Sequence, residues 1–141
     1  MDDKLRAFTG LQRALVHIDK ELCRTQQDYG LTDGQFAVLE TLYQRGDLSV
    51  GQVKERIHSS SGTMPIIVKN LEKIGLVIKK KDKLDKRKNI ISLTTNGRDL
   101  ISRACPHREK KIREIFSGLS SEELTLLSKL CKKLEDNTKE F

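Results

Sequence analysis

The chain has 141 residues, 36% of them apolar and 33% charged, which is enough for one packed core and too polar for a membrane protein. No apolar run approaches the ~20 residues that cross a bilayer, and the opening MDDKLRAF lacks the basic flank and apolar block of an export signal, so the cytoplasm is the expected location, with no membrane partner. The formal charge of +7 points to an anionic partner, and three cysteines, odd in number and far apart, fit reduced thiols better than a disulfide framework.

Leu5, Phe8, Leu11, Leu15, Ile18 and Leu22 recur three and four apart, which predicts a helix from about Asp3 to Gln27. Its stripe is narrow, closer to a seam between helices than to a globular face, so the helix needs a partner. Three later helix starts share one pair of signals. Thr32 and Gln35 have the spacing of a capping box, with Leu31 and Phe36 placed as a hydrophobic staple; Ser49 and Gln52 repeat it with Leu48 and Val53, and Ser120 and Glu123 with Leu119 and Leu124. A good N-cap contributes ~1 kcal/mol. The boxes predict helices over about Asp33 to Gln44, closed by Gly46, then Val50 to Ile57, and finally Ser121 to Asp136.

The stretch from His58 to Leu93 organises the rest. Met64, Ile67, Val68 and Leu71 share one helical face that must be buried, whereas Gly62, Ile66, Lys69 and Lys73 lie opposite, with Asn70 at the margin. Gly75 stands where a helix ends on a left-handed residue, and Leu71 and Leu76 occupy the two positions that touch in such a cap. Leu76 to Ile78 and Asn89 to Leu93 are strand-like runs joined by a charged segment, which predicts a hairpin. From Lys69 to Lys88 there are nine Lys or Arg residues against Glu72, Asp82 and Asp85. A solvated face is the bland reading of such a run; beside a helix with a basic edge, contact with DNA is preferred.

Two short helices followed by a hairpin form a winged helix-turn-helix. The helix from Gly62 to Ile74 would enter the major groove, and Lys54 and Arg56 on the preceding helix would meet phosphates. After Thr94 a long helix runs to about Phe116, with Pro106 expected to kink it one turn upstream. Ile112, Ile115, Phe116 and Leu119 lie near its end, and Leu124, Leu127, Leu130 or Cys131, and Leu134 continue the three-four spacing. Together with Leu5, Phe8, Leu11 and Leu15 this is more apolar seam than one small winged domain covers, so a homodimer is expected. The fold class is therefore mainly α with a small β wing: an N-terminal dimerisation helix over residues 1–30, a winged helix-turn-helix over 31–94 and C-terminal dimerisation helices over 95–141, as one intertwined unit.

The runs LTDGQFAVLETLYQRGDLSVGQVKERI, NLEKIGLV, LDKRKNIISLTTNGRDLI and FSGLSSEEL together resemble the MarR family of transcriptional regulators almost end to end. Asp85, Arg87, Leu93, Thr94 and Gly97 match its D-x-R wing tip followed by L-T-x-x-G. The resemblance implies a homodimer whose first, fifth and sixth helices interlock and whose winged domains bind a pseudo-palindromic double-stranded operator. Many members release DNA when a small anionic phenolic compound binds or when a cysteine is oxidised. It also implies that Arg87 enters the minor groove and that Asp85 steadies it; a phosphate contact or plain solvation of Arg87 is the other reading.

The expected DNA-contacting set is Lys54, Ser60, Ser61, Gly62, Thr63, Pro65, Ile66, Lys69, Asn70, Lys73, Asp85, Lys86, Arg87 and Lys88. Members of the family commonly carry an arginine and hydroxyl residues where this chain has Ser61, Gly62, Pro65 and Ile66. Pro65 restricts Met64 and donates no amide hydrogen, so the helix is expected to start just before it or to have an irregular first turn. Ile66 either meets thymine methyls or packs against the wing.

Cys23 is the candidate redox sensor, although an ordinary packed thiol is the preferred reading. His17, His58 and His107 match no metal spacing, and no cofactor is expected. No phosphate loop, HExxH, paired-Cys motif or Ser/His/Asp context suggests an enzyme. The competing reading is a winged-helix module that binds another protein, or coats DNA without sequence choice and without an effector.

Overall fold

A computed structural model describes residues 2–57 and 63–140; the expectations placed on His58, Ser60, Ser61 and Gly62 lie outside them. The elements are α1 (Asp3–Gln27), α2 (Asp33–Arg45), β1 (Leu48–Ser49), α3 (Val50–Ile57), α4 (Met64–Lys73), β2 (Val77–Lys81), β3 (Asn89–Leu93), α5 (Thr95–Ile115), a 3₁₀ turn (Phe116–Gly118) and α6 (Ser121–Thr138). The chain divides into two compact units, Met1–Lys111 and Ile112–Phe141.

In the first unit the expected local signals become bonds. Thr32 N–H donates to Gln35 Oε1 at 3.0 Å and Gln35 N–H returns to Thr32 Oγ1 at 3.2 Å, and Ser49 and Gln52 exchange the same pair at 2.9 and 3.1 Å. Each box satisfies amides that the first helical turn leaves open. Phe36, Val38, Leu39 and Leu42 of α2 then meet Val53, Met64, Val68, Leu71, Val77, Ile91 and Ile101 in one buried cluster. Helices α2, α3 and α4 and the sheet thus share a single core, and the outer faces of α4 and the wing are left for other work.

The sheet order is β1-β3-β2, antiparallel throughout, with Leu48 opposite Ile91 and Val77 opposite Leu93. Two details differ from expectation. β1 is a two-residue strand that hides inside a capping box, and β2 continues from Ile78 through Lys79, Lys80 and Lys81, which face Ile91, Ile90 and Asn89. Lysine is a poor strand former; here backbone pairing with β3 carries the strand into the charged run.

The end of α4 forms as the sequence implies. Gly75 takes φ +79°, Leu76 N–H donates to Leu71 C=O and Gly75 N–H to Glu72 C=O, each at 3.0 Å, which is a Schellman cap. At its start, α4 opens at Met64 with Pro65 in the first turn, where the missing proline amide costs nothing. α5 continues through Pro106 as one helix.

The second unit holds the last turn of α5, the 3₁₀ turn and α6. Ser120 N–H donates to Glu123 Oε1 at 2.9 Å and Glu123 N–H to Ser120 Oγ at 3.2 Å; hydrogen bonding of the Glu123 carboxyl to the Ser120 backbone first, and to the Ser120 side chain second, holds that carboxyl below the usual range. α6 runs two residues beyond the expected Asp136, to Thr138.

Candidate nucleic-acid interface

The buried face of α4 is set by Met64, Val68 and Leu71, with Ile67 half-buried. This turns Thr63, Pro65, Ile66, Lys69, Asn70 and Lys73 to solvent. Ile66 is 61% exposed, so the wing does not cover most of it. Lys54 on α3 is half-buried and Arg56 is exposed. Lys79 of the wing lies 3.8 Å from Glu72 of α4, a pairing between wing and helix that the sequence did not suggest.

The segment joining β2 to β3 is closed by its own bonds. Asp82 N–H donates to Lys88 C=O at 2.9 Å and Lys88 N–H to Asp85 C=O at 3.0 Å, while Leu84 N–H donates to Asp82 Oδ1 at 3.1 Å. Asp85 Oδ1 accepts from both the backbone N–H and the side-chain Nε of Arg87, at 3.0 and 3.2 Å. The Arg87 side-chain bond first, and its backbone bond second, hold the Asp85 carboxyl below the usual carboxylate range. The Arg87 side chain itself stays 92% exposed. Asp85 therefore grips one edge of Arg87 and leaves its Nη groups to project. Lys86 and Lys88 flank it in solvent, and Arg87, Lys88 and Asn89 line one shallow hollow with Ser49, Val50 and Gly51, so the start of α3 and the wing share a surface.

The thiols and imidazoles occupy other places. Cys105 is buried, and burial, with help from the carboxylates of Glu40 and Glu109, pushes its thiol up to about 11. Cys23 is half-buried and accepts from Gln27 Nε2 at 3.6 Å; Cys131 is exposed. His107 meets the Tyr29 ring edge to face at 5.8 Å. Nearby in the chain, Arg108 lies over the Phe36 ring at 5.1 Å with Nη1 3.9 Å from Glu40 Oε2. Among the described residues, Arg108 Nε and Gln26 Oε1 are buried without a protein hydrogen-bond partner. Among the described residues no cluster of three or more His, Cys, Asp or Glu side chains could hold a metal ion, and no helix is long and apolar enough to cross a membrane.

A capped helix with a basic outer edge, carried beside an arginine-tipped hairpin, defines a DNA-binding winged helix-turn-helix protein of the kind that regulates transcription. The MarR family model matches residues 31–88. The HTH-type transcriptional regulator MhqR of Bacillus subtilis (strain 168) is 31% identical over 140 residues, covering 99% of this chain and 97% of that protein. BpsR of Bordetella bronchiseptica, whose DNA binding is regulated by 6-hydroxynicotinic acid, has a solved structure with a TM-score of 0.83 at 27% identity over 92% of this chain and 98% of its own. AbsC of Streptomyces coelicolor, a MarR family regulator, has the same fold, with a TM-score of 0.91 at 20% identity over 100% of this chain and 98% of its own. The chain belongs to the MarR family of transcriptional regulators.

Proposed function

We propose that the protein works in the cytoplasm as a homodimeric repressor: two copies seat their α4 helices in successive major grooves of a pseudo-palindromic operator, ~34 Å apart, and exclude other proteins from that DNA. The observation that carries the reading is the apolar seam of α1. Leu5, Phe8, Leu11 and Leu15 stand exposed at three-four spacing, with Phe8 57% exposed, in a helix of 25 residues. Such a stripe gains about 25 cal/mol for each Å² it buries, and a second copy offers the same stripe under two-fold symmetry. Ile112, Ile115 and Phe116 are half-buried, while α6 has no buried residue and presents Leu124, Leu130 and Leu134 exposed, with Leu127 half-buried. These are a second apolar face that the dimer would bury.

On DNA, Lys69, Asn70 and Ile66 read the major groove, with Thr63, Pro65 and Lys73 alongside. Lys54, Lys86 and Lys88 meet phosphates, and Arg87, steadied by Asp85, enters the minor groove. A narrow A·T-rich groove concentrates negative potential and attracts such an arginine. The effector that releases DNA is a small phenolic or anionic compound, a reading supported by BpsR, whose DNA binding is regulated by 6-hydroxynicotinic acid. Oxidative release would run through Cys23, the half-buried thiol of α1, rather than through the buried Cys105.

The test is selection of bound fragments from genomic DNA, followed by affinity measurements on the recovered duplex and on a shuffled copy. A repressor prefers the recovered duplex by about 10³ or more. A ratio near one identifies a DNA-coating module instead, and absence of binding at low salt removes DNA as the partner.

A further inference from the structure

Leu84 is 98% exposed, and no other large apolar side chain among the described residues stands so far from cover. It occupies the loop between β2 and β3, with Lys83 before it and the Asp85 and Arg87 pair after it. A single exposed leucine is common on protein surfaces, but one held on a closed, lysine-rich loop would gain from any apolar surface that covers it. Its backbone is fixed on both sides. Leu84 N–H is held by Asp82 Oδ1 at 3.1 Å, Asp82 N–H and Lys88 N–H close the loop through Lys88 C=O and Asp85 C=O, and Asp85 is tied to Arg87. Leu84 is thus carried outward on the same closed loop as the arginine.

We infer that Leu84 is a second DNA-contacting residue of the wing, an apolar foot that rests on the deoxyribose wall of the minor groove while Arg87 reaches into it. This rests on the proposed seating of the wing on DNA. Two features favour duplex DNA as the occupant over a protein groove. The loop that carries Leu84 also carries Lys83, Lys86, Arg87 and Lys88 against Asp82 and Asp85, and that excess of positive charge suits phosphates on either side of a groove. The sugar edge between those phosphates is the apolar surface such a loop would meet. Some minor-groove proteins insert leucine between base pairs, but the neighbouring arginine favours a narrow groove, which suits contact with the wall rather than entry into a base step.

The tightest duplex recovered from a random-sequence pool by the full-length chain serves as probe, with affinity measured across a range of salt concentrations. Leu84→Ala is expected to weaken binding about fivefold to tenfold, as the loss of part of one leucine's apolar contact implies, with the slope of log affinity against log salt unchanged, because no phosphate contact is lost. Leu84→Met should retain most of the affinity. Arg87→Ala should weaken binding and also flatten the slope. If Leu84→Ala binds within twofold of the parent while Arg87→Ala is impaired, the leucine contact is overturned and the wing reading stands. If both are neutral, both are overturned. A change of slope in Leu84→Ala would also contradict an uncharged contact.

Discussion

The hydroxyl of Thr94 donates to the backbone carbonyl of Gly75 at 2.6 Å, which ties the residue just ahead of α5 to the residue that stops the recognition helix α4. The same oxygen accepts from Gly97 N–H at 3.0 Å, and Thr94 N–H donates to Leu76 C=O at 3.1 Å. The threonine therefore caps one helix while clamping the end of another. Gly97 completes the joint, since a side chain there would run into the Leu76 carbonyl. The L-T-x-x-G pattern is thus a mechanical coupling between the end of α4 and the start of α5.

Breaking that joint has a defined cost. Thr94→Val keeps the shape but removes the cap and the clamp, and should destabilise the fold by about 1–2 kcal/mol in urea unfolding. Gly97→Ala forces backbone apart and should cost at least ~1–3 kcal/mol. It should also weaken DNA binding more than Thr94→Val does. A Gly97→Ala protein of unchanged stability would show that α5 does not press on Leu76.

Core packing makes a second prediction. Leu39 lies fully buried where α2 meets the shared core, so Leu39→Ala should lose about 2–5 kcal/mol. Ile66→Ala, by contrast, removes an exposed side chain and should leave the unfolding midpoint within ~0.5 kcal/mol, while reducing affinity chiefly for half-sites that carry thymine at the contacted step. Equal loss at every sequence would exclude a reading role for Ile66.

The Asp85 carboxyl should titrate below its ordinary 3.8, because Arg87 favours its charged form. A group depressed in the folded state supports that state above its unfolded value, and the support is lost as pH falls through the folded value. Side-chain NMR titration should therefore find the Asp85 midpoint below 3.8, and Arg87→Ala should move it upward. An unmoved midpoint would mean that the carboxylate does not hold the arginine in solution.

Cys105 predicts the opposite pH dependence. Its thiol is raised from 9.0 to about 11 by burial, so the unfolded chain loses this proton first as the solution turns alkaline, and stability should fall between about pH 9 and 11. Cys105→Ala should flatten that part of the profile. At neutral pH a thiol reagent should label Cys105 only when the chain unfolds. Rapid labelling of Cys105 in the folded chain would show that its burial is transient.

Much of this was legible in the sequence because its strongest signals are local. Thr32 with Gln35, Ser49 with Gln52, and Ser120 with Glu123 announce helix starts within four residues. Gly75 between Leu71 and Leu76 announces a stop in the same way. What the sequence hid depends on partners far along the chain. β1 is only Leu48 and Ser49, and it exists because Ile90 and Ile91 pair with it. Lys79 to Lys81 read as loop on propensity, and β3 makes them a strand. The exposure of Leu84 follows from how the wing loop closes, and the role of Thr94 from a bond to a residue nineteen positions earlier; neither has a local signature. The early turn of α4 around Pro65 was anticipated from the ring's chemistry, because proline acts on its own neighbours.

The most direct trial of the account is the mass of the complex by analytical ultracentrifugation, using the duplex recovered from genomic selection. The prediction is two chains on each duplex, with Phe8→Glu, placed in the exposed seam of α1, giving a folded monomer that binds far more weakly. A parent protein that sediments as a monomer both free and on DNA, or a Phe8→Glu variant that still forms the two-chain complex, would contradict it.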